Sequence, residues 1–175
     1  LLDDPDQELR LANRQPDDLG GSVLRFTQNY KGLTVWPAEI GVHLNAAGDV
    51  DLVDCAYVPT PNDLAIQPKL TAKDSEAKAR VAVNDGANAT IQTPELVIYG
   101  PLDQPAKLAW KMGVSVALDQ AWWVVIDAQT GDMLATISRV MNDSVSGSGV
   151  DLLGVTRSLK VWRSGATFYM IDASK

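Results

Sequence analysis

Apolar and polar positions alternate most regularly between Lys107 and Asn142, and this stretch predicts the platform of the fold. Leu108, Trp110, Met112, Val114, Val116 and Leu118 alternate with Lys107, Ala109, Lys111, Gly113, Ser115 and Ala117, a period of two that suits a strand and not a helix. The run Trp122-Trp123-Val124-Val125-Ile126 is apolar at every position, as in a strand covered on one face and at least partly shielded on the other. Asp127 to Asp132 then reverses the chain into a third strand, Met133 to Met141, with Gly131 supplying the positive φ that a tight hairpin needs.

Upstream, Asp4-Pro5-Asp6-Gln7-Glu8 has the form of a helix start, with Asp4 as N-cap and Pro5 in the first turn. That helix is expected to carry Leu9, Leu11 and Ala12 and to stop by Gln15-Pro16. A three-strand meander should follow. Its strands are Ser22 to Lys31, with Leu24, Phe26 and Tyr30 on one face, Ala38 to Asn45, with Ile40, Val42 and Leu44 inward, and Val50 to Val58. The segment from Pro59 to Pro68 holds three of the nine prolines and little periodicity, which predicts a domain boundary there. Thr71 and Asp74 have capping-box spacing, and the helix they open is expected to run from Ala72 to about Asn84, with a small-residue face of Ala77, Ala79, Ala82 and Val83, and to end at Asp85-Gly86. Glu95 to Tyr99 is a short strand. From Asn142 the composition turns to Ser and Gly, a flexible linker, and Val150 to Lys175 resumes as strands too short to bury their own apolar residues.

These elements predict an α+β chain of two small units, each an antiparallel sheet, the second with one helix packed on it, followed by a short β-rich C-terminal segment. The expected bounds are 1–66, 67–142, a linker at 143–149 and a last piece at 150–175.

Composition narrows the function. The chain has 175 residues, 46% of them hydrophobic, enough for one medium or two small domains with a packed core. Its net charge is −7, with no Lys/Arg block to neutralise phosphates, so neither nucleic acid nor an anionic membrane is an expected partner. No apolar run reaches the roughly 18 residues of a membrane span. An export leader, if there is one, would lie upstream of Leu1. Cys55 is the only cysteine, so no internal disulfide can form.

Catalytic chemistry finds no constellation. There is one histidine, and no His-Glu-x-x-His, Gly-x-Ser-x-Gly, phosphate loop or paired-cysteine motif. His43 reads as an edge or solvated residue, Cys55 as a small packed one, and Asp3, Asp4, Asp6, Asp17 and Asp18 as a solvated acidic terminus without the spacing of a calcium loop. Trp110, Trp122 and Trp123 form either core or, alternatively, a sugar-stacking platform. One further candidate remains. The peptide leaving the third strand, Val140, Met141, Asn142, Asp143, Ser144, Val145, Ser146, Gly147 and Ser148, can lie extended in a protease cleft as an added strand, or serve only as a linker.

Three segments, in this order, resemble a known precursor. Phe26 to Leu44, with Tyr30, Gly32 and Val35 in a Tyr-x-Gly-x-x-Val pattern, then Val42-His43 and the Gly48 turn, resembles the fungalysin/thermolysin propeptide domain. Ala77 to Met141, through Trp123-Val124-Val125-Ile126-Asp127 and Gly131-Asp132, resembles the PepSY domain of thermolysin-family zinc peptidase precursors, a helix on a cystatin-like sheet. Gly147 to Gly154 and Phe168 to Asp172 resemble the first strands of the mature enzyme, departing at Asp151, Val155 and Ala173-Ser174-Lys175.

The resemblance implies a secreted or periplasmic pro-region, not itself an enzyme, that assists folding of its cognate peptidase catalytic domain and inhibits it until autocatalytic cleavage. Zinc and calcium would belong to the peptidase domain, and this chain needs no cofactor. Val140 to Ser148 becomes the inhibitory and processing segment, with Met141 or Val145 as the apolar residue after the cleaved bond. Two alternatives stay open: a stand-alone PepSY-type inhibitor or binding module acting in trans, and a carbohydrate-binding sheet.

Overall fold

The computed structural model describes residues 2–83, 86–101, 104–117, 120–140, 144–150, 152–164 and 167–169. A four-residue helix, α1 (Pro5–Glu8), leads into β1 (Leu9–Pro16), β2 (Ser22–Tyr30), β3 (Leu33–Leu44) and β4 (Val50–Ala56). Helix α2 (Ala72–Val81) follows, then β5 (Thr90–Ile91), β6 (Glu95–Tyr99), β7 (Lys107–Ala117), β8 (Gln120–Asp127) and β9 (Met133–Ser138). The last strands are β10 (Ser144–Val150), β11 (Thr156–Ser164) and β12 (Thr167–Tyr169).

The expected pair of α+β units is not what forms. Strands β1 to β9 make one nine-stranded mixed sheet, ordered β1-β2-β3-β6-β7-β8-β9, with β4 on β3 and β5 on β7, and the protein is mostly β. The join is a parallel pairing in which Val35 faces Ile98 and Trp36 faces Tyr99. Three residues, Trp36, Pro37 and Ala38, interrupt the pairing of β3 with β2, between Thr27↔Glu39 and Gln28↔Val35. Past the interruption the same edge of β3 changes partner, from β6 to β4, which pairs with Glu39 to Leu44. The strand expected from Ala38 to Asn45 begins at Leu33 instead, and Val35 and Trp36, ahead of its expected start, form the seam.

The N-terminal helix is also corrected. Asp4 caps it as expected, its carboxylate accepting from the Gln7 N–H, but the helix ends at Glu8. Leu9 and Leu11 have strand spacing, and β1 pairs with an edge of β2 that would otherwise lie open. The capping box at α2 forms as the sequence predicts, Thr71 Oγ1 accepting from Asp74 N–H while the Asp74 carboxylate accepts from the Thr71 N–H. The helix stops at Val81; Asn84 and Asp85 lie outside the described residues.

One face of the sheet is covered in two places. Over β7 and β8, α2 places Ala79 and Val83 against Met112, Val114, Val124 and Ile126. In the middle, the proline-rich crossing segment lays Val58, Leu64 and Ile66 on Tyr30, Val35, Ile98 and Leu108. Trp110 bridges the two clusters, its indole N–H donating to the Leu70 carbonyl at 2.9 Å. On the opposite face Val97, Ala109 and Val125 form a smaller core with Trp36, Tyr99, Leu134 and Ala135. The doubly apolar β8 therefore has the two covered faces its sequence asks for. Gly131 has φ 78°, the left-handed turn conformation expected of it, and Asp127 accepts from the Gln129 and Thr130 N–H groups to brace that turn.

A buried carboxylate ties the N-terminus to the crossing segment. Glu8 accepts from the Asp3 and Asp4 N–H groups at 2.9 and 3.0 Å and from Thr60 Oγ1 at 2.8 Å. Fully buried Gln28 stands beside it, making a reciprocal pair with the backbone of Val58 and donating to Glu8. Burial alone would raise the Glu8 carboxyl, but these donors outweigh it and hold the group below the usual glutamate range.

A carboxyl with a depressed folded value adds stability above its unfolded value, near 4.3, and loses it as pH falls through the folded value. Glu8→Gln should therefore cost about 1–3 kcal/mol at neutral pH, and the gap to wild type should narrow under acid in paired denaturant titrations. A gap independent of pH would contradict this role for the charge.

Candidate functional site

The peptide expected to inhibit leaves the sheet at the end of β9, and the residues around that exit are tightly placed. Arg139 turns back over the side of β8 opposite α2: its N–H donates to the Ala121 carbonyl at 2.8 Å, and its guanidinium lies 4.2 Å from the centre of the Trp123 ring. Gln92 Oε1 accepts from Arg139 Nη1 at 3.5 Å. Beneath both groups sits Gly113, whose missing Cβ makes the arrangement possible, because a methyl there would lie 2.2 Å from Gln92 Oε1 and 2.7 Å from Arg139 Nη1. Ser138 then closes the turn, its hydroxyl donating to the Val140 carbonyl and accepting from the Val140 N–H.

Next to Arg139 the same face carries a second cation. Lys111 lies 5.0 Å from the Trp123 ring and 5.4 Å from the Trp36 ring, and pairs with Glu95 at 2.8 Å. Trp36 stacks on Tyr99 with ring centroids 5.8 Å apart. The sequence Tyr99, Trp36, Lys111, Trp123, Arg139 is thus a continuous ladder from the seam of the sheet to the exit of β9. Such cation–ring contacts contribute about 0.5–1 kcal/mol each where exposed, more where water is excluded. Lys111 is only 12% exposed, so its ammonium is held largely by the rings and Glu95.

The segment beyond the exit falls into three parts. Val140 is half-buried in the Ser138 turn. Met141, Asn142 and Asp143 lie outside the described residues. Ser144, Val145, Ser146, Gly147 and Ser148 belong to β10, which pairs antiparallel with β11, Val145 facing Val161 and Ser148 facing Ser158. A linker composition has therefore formed a strand, since β11 offers it a full ladder of backbone partners. In the order β10-β11-β12, β10 is the edge of its sheet.

Other sequence candidates resolve differently. His43 is paired, Nε2 lying 2.7 Å from the Asp54 carboxylate on the solvent side of β3 and β4, and among the described residues no nucleophile completes the pair. Cys55, expected to be packed, is exposed on β4 instead, as is every residue of that strand. The three tryptophans do not share a face: Trp110 and Trp122 pack toward α2, while Trp123 lies under Arg139 and Lys111, so they form no common stacking platform. Among the described residues no group of three or more His, Cys, Asp or Glu side chains could hold a metal ion, and no helix is long and apolar enough to cross a membrane.

The ladder was missed in the sequence. Lys111 and Gly113 occupy the polar positions of the alternating strand, where solvent exposure is the ordinary reading, and Trp36 and Arg139 reach them only through the seam and the β9 turn.

Comparison with known proteins places this geometry. Residues 7–55, which span β1 to β4, match the Fungalysin/Thermolysin Propeptide Motif. The chain is 25% identical over 182 residues to bacillolysin of Bacillus subtilis (strain 168), covering 98% of the chain and 35% of that protein. It is 29% identical to the thermostable neutral protease NprT of Geobacillus stearothermophilus and 28% identical to thermolysin of Alicyclobacillus acidocaldarius subsp. acidocaldarius, in each case over 86% of the chain. The chain thus spans about a third of the length of these relatives. It carries the fungalysin/thermolysin propeptide motif on its first four strands and is homologous, over nearly its whole length, to part of the bacillolysins and thermolysins.

Proposed function

We propose that this chain is the non-catalytic pro-region of an exported thermolysin-like zinc metalloendopeptidase, acting as folding template and inhibitor of the peptidase domain until the precursor is cleaved. The observation that carries the reading is the propeptide motif on β1 to β4 in a chain that aligns over 98% of its length with about a third of a bacillolysin. Zinc and calcium would be held by the peptidase domain. This chain contributes surface and a peptide.

Physical reasoning supports both roles. A preformed sheet offers a large rigid surface, which lowers the entropy cost of assembling a slow-folding β-rich partner. The Arg139 anchor fixes the point from which the following peptide departs, so Val140 to Ser148 is delivered from a defined position. Strand β10 is an edge, and its free side presents extended backbone of the kind a protease cleft pairs with. Cleavage within Val140 to Ser148 would then release the peptidase, with Met141 or Val145 following the broken bond.

Residues 1–175, added to the separately folded peptidase domain of the same precursor, should inhibit its hydrolysis of a peptide substrate, and deletion of 140–148 should remove that inhibition. Undiminished inhibition by the deletion variant would reduce the segment to a connection, and no inhibition by the intact chain would sink the pro-region reading.

Loss of the exit anchor is a finer test. Arg139→Ala should weaken inhibition by about 2–5-fold, the size of one exposed cation–ring contact, without altering the unfolding midpoint by more than a few degrees. Gly113→Val, which forces Gln92 and Arg139 apart, should weaken it more. Inhibition unchanged in both variants would show that the exit needs no fixed position.

A further inference from the structure

The covered face of the sheet changes character at its N-terminal end. Cross-strand neighbours Leu11, Phe26, Ile40 and Cys55 form one row on that face, and Arg14, Leu24, Val42 and Val53 form the next. All but Arg14, at the β1 edge, are apolar or sulfur-bearing; Leu24, Phe26, Ile40 and Val42 are half-buried, while Cys55 is exposed, Leu11 is 57% and Val53 51% exposed. The reverse side of the same strands is polar, carrying the Arg25–Glu39 and His43–Asp54 pairs. A sheet with one charged side and one apolar side ordinarily buries the apolar side. Here the crossing segment covers only the neighbouring region around Tyr30 and Val35, and α2 covers only β7 and β8.

We infer that this bare face of β1 to β4 is the surface on which the peptidase domain seats, an inference that rests on the pro-region reading above. Two observations select that occupant. The face lies wholly inside residues 7–55, so it belongs to the segment that matches the propeptide motif. The chain accounts for only about a third of its relatives, so a protein of their size has most of its mass outside these strands to supply the cover. The partner's contact is accordingly apolar, and it reaches the sheet far from the β9 exit. Seating and cleft occupancy are thus two separate contacts on one rigid sheet.

β4 supplies a matched test, because Val53 projects from the bare face and its neighbour Leu52, 56% exposed, projects from the charged one. Binding of residues 1–175 to the peptidase domain is measured with the active site filled by a small zinc-binding inhibitor, which keeps the tail out of the cleft. Val53→Asp, and independently Leu11→Asp on β1, should raise Kd by about 10-fold or more, whereas Leu52→Asp should change it by less than about 2-fold. Maleimide labelling of Cys55 should slow when the wild-type chain is bound. Circular dichroism and the unfolding midpoint confirm that each variant is folded.

Equal effects of Val53→Asp and Leu52→Asp, or Cys55 labelling unchanged by the partner, would overturn the assignment while leaving inhibition by the wild-type chain intact. A concentration-dependent dimer of the chain alone, broken by Val53→Asp, would also overturn it by giving the face to a second copy. Failure of the wild-type chain both to bind and to inhibit would instead remove the pro-region reading itself.

Discussion

The nine-stranded sheet depends on the short parallel pairing of β3 with β6. Val35 and Ile98, both fully buried, face each other across it, and Trp36 and Tyr99 stack on the other side. The Gly100 N–H donates to the Trp36 carbonyl at 2.9 Å and extends the join by one bond. Without this seam the nine-stranded sheet would fall into two, a largely bare one carrying the propeptide motif and a covered one carrying the exit of β9. With it, the uncovered face of β1 to β4 and the exit of β9 belong to one sheet.

That arrangement explains why the two halves look so different. The second half buries its own apolar residues, under α2 on one face and beneath the ladder of Trp36, Lys111, Trp123 and Arg139 on the other. The first half does so only at its base, where the crossing segment packs on Tyr30 and Val35 and the Glu8, Gln28 and Thr60 clasp adds polar ties to it. A half-covered sheet is a liability in a finished protein and an asset in one that must adhere to a partner. The pro-region reading accounts for the imbalance without requiring a fault in the fold.

Local elements were legible in the sequence because their causes are local. The alternation of β7, the doubly apolar β8, the Gly131 turn and the Thr71 capping box all follow from spacing within a few residues. The seam was not legible, since a parallel pairing of Val35 and Trp36 with Ile98 and Tyr99 leaves no mark at either site, and local spacing alone predicts two α+β units. The same cause hid the ladder: Trp36 approaches Lys111 only once the seam has formed. Leu9 to Pro16 misled for a simpler reason, in that a sound helix start at Asp4-Pro5 was extended past Glu8 into residues with strand spacing. The Val140 to Ser148 peptide could be nominated from its place after β9 and its composition, but its pairing with β11 is a long-range choice that composition does not encode.

Native-state hydrogen exchange on residues 1–175 tests the single-sheet account most directly. The account predicts that amides around Val35 in β3 and Ile98 in β6 open together with those around Met112 and Val124, at one common free energy. Exchange of β1 to β4 in a separate, less protected step, with β6 to β8 still closed and the β3 seam already open, would contradict it.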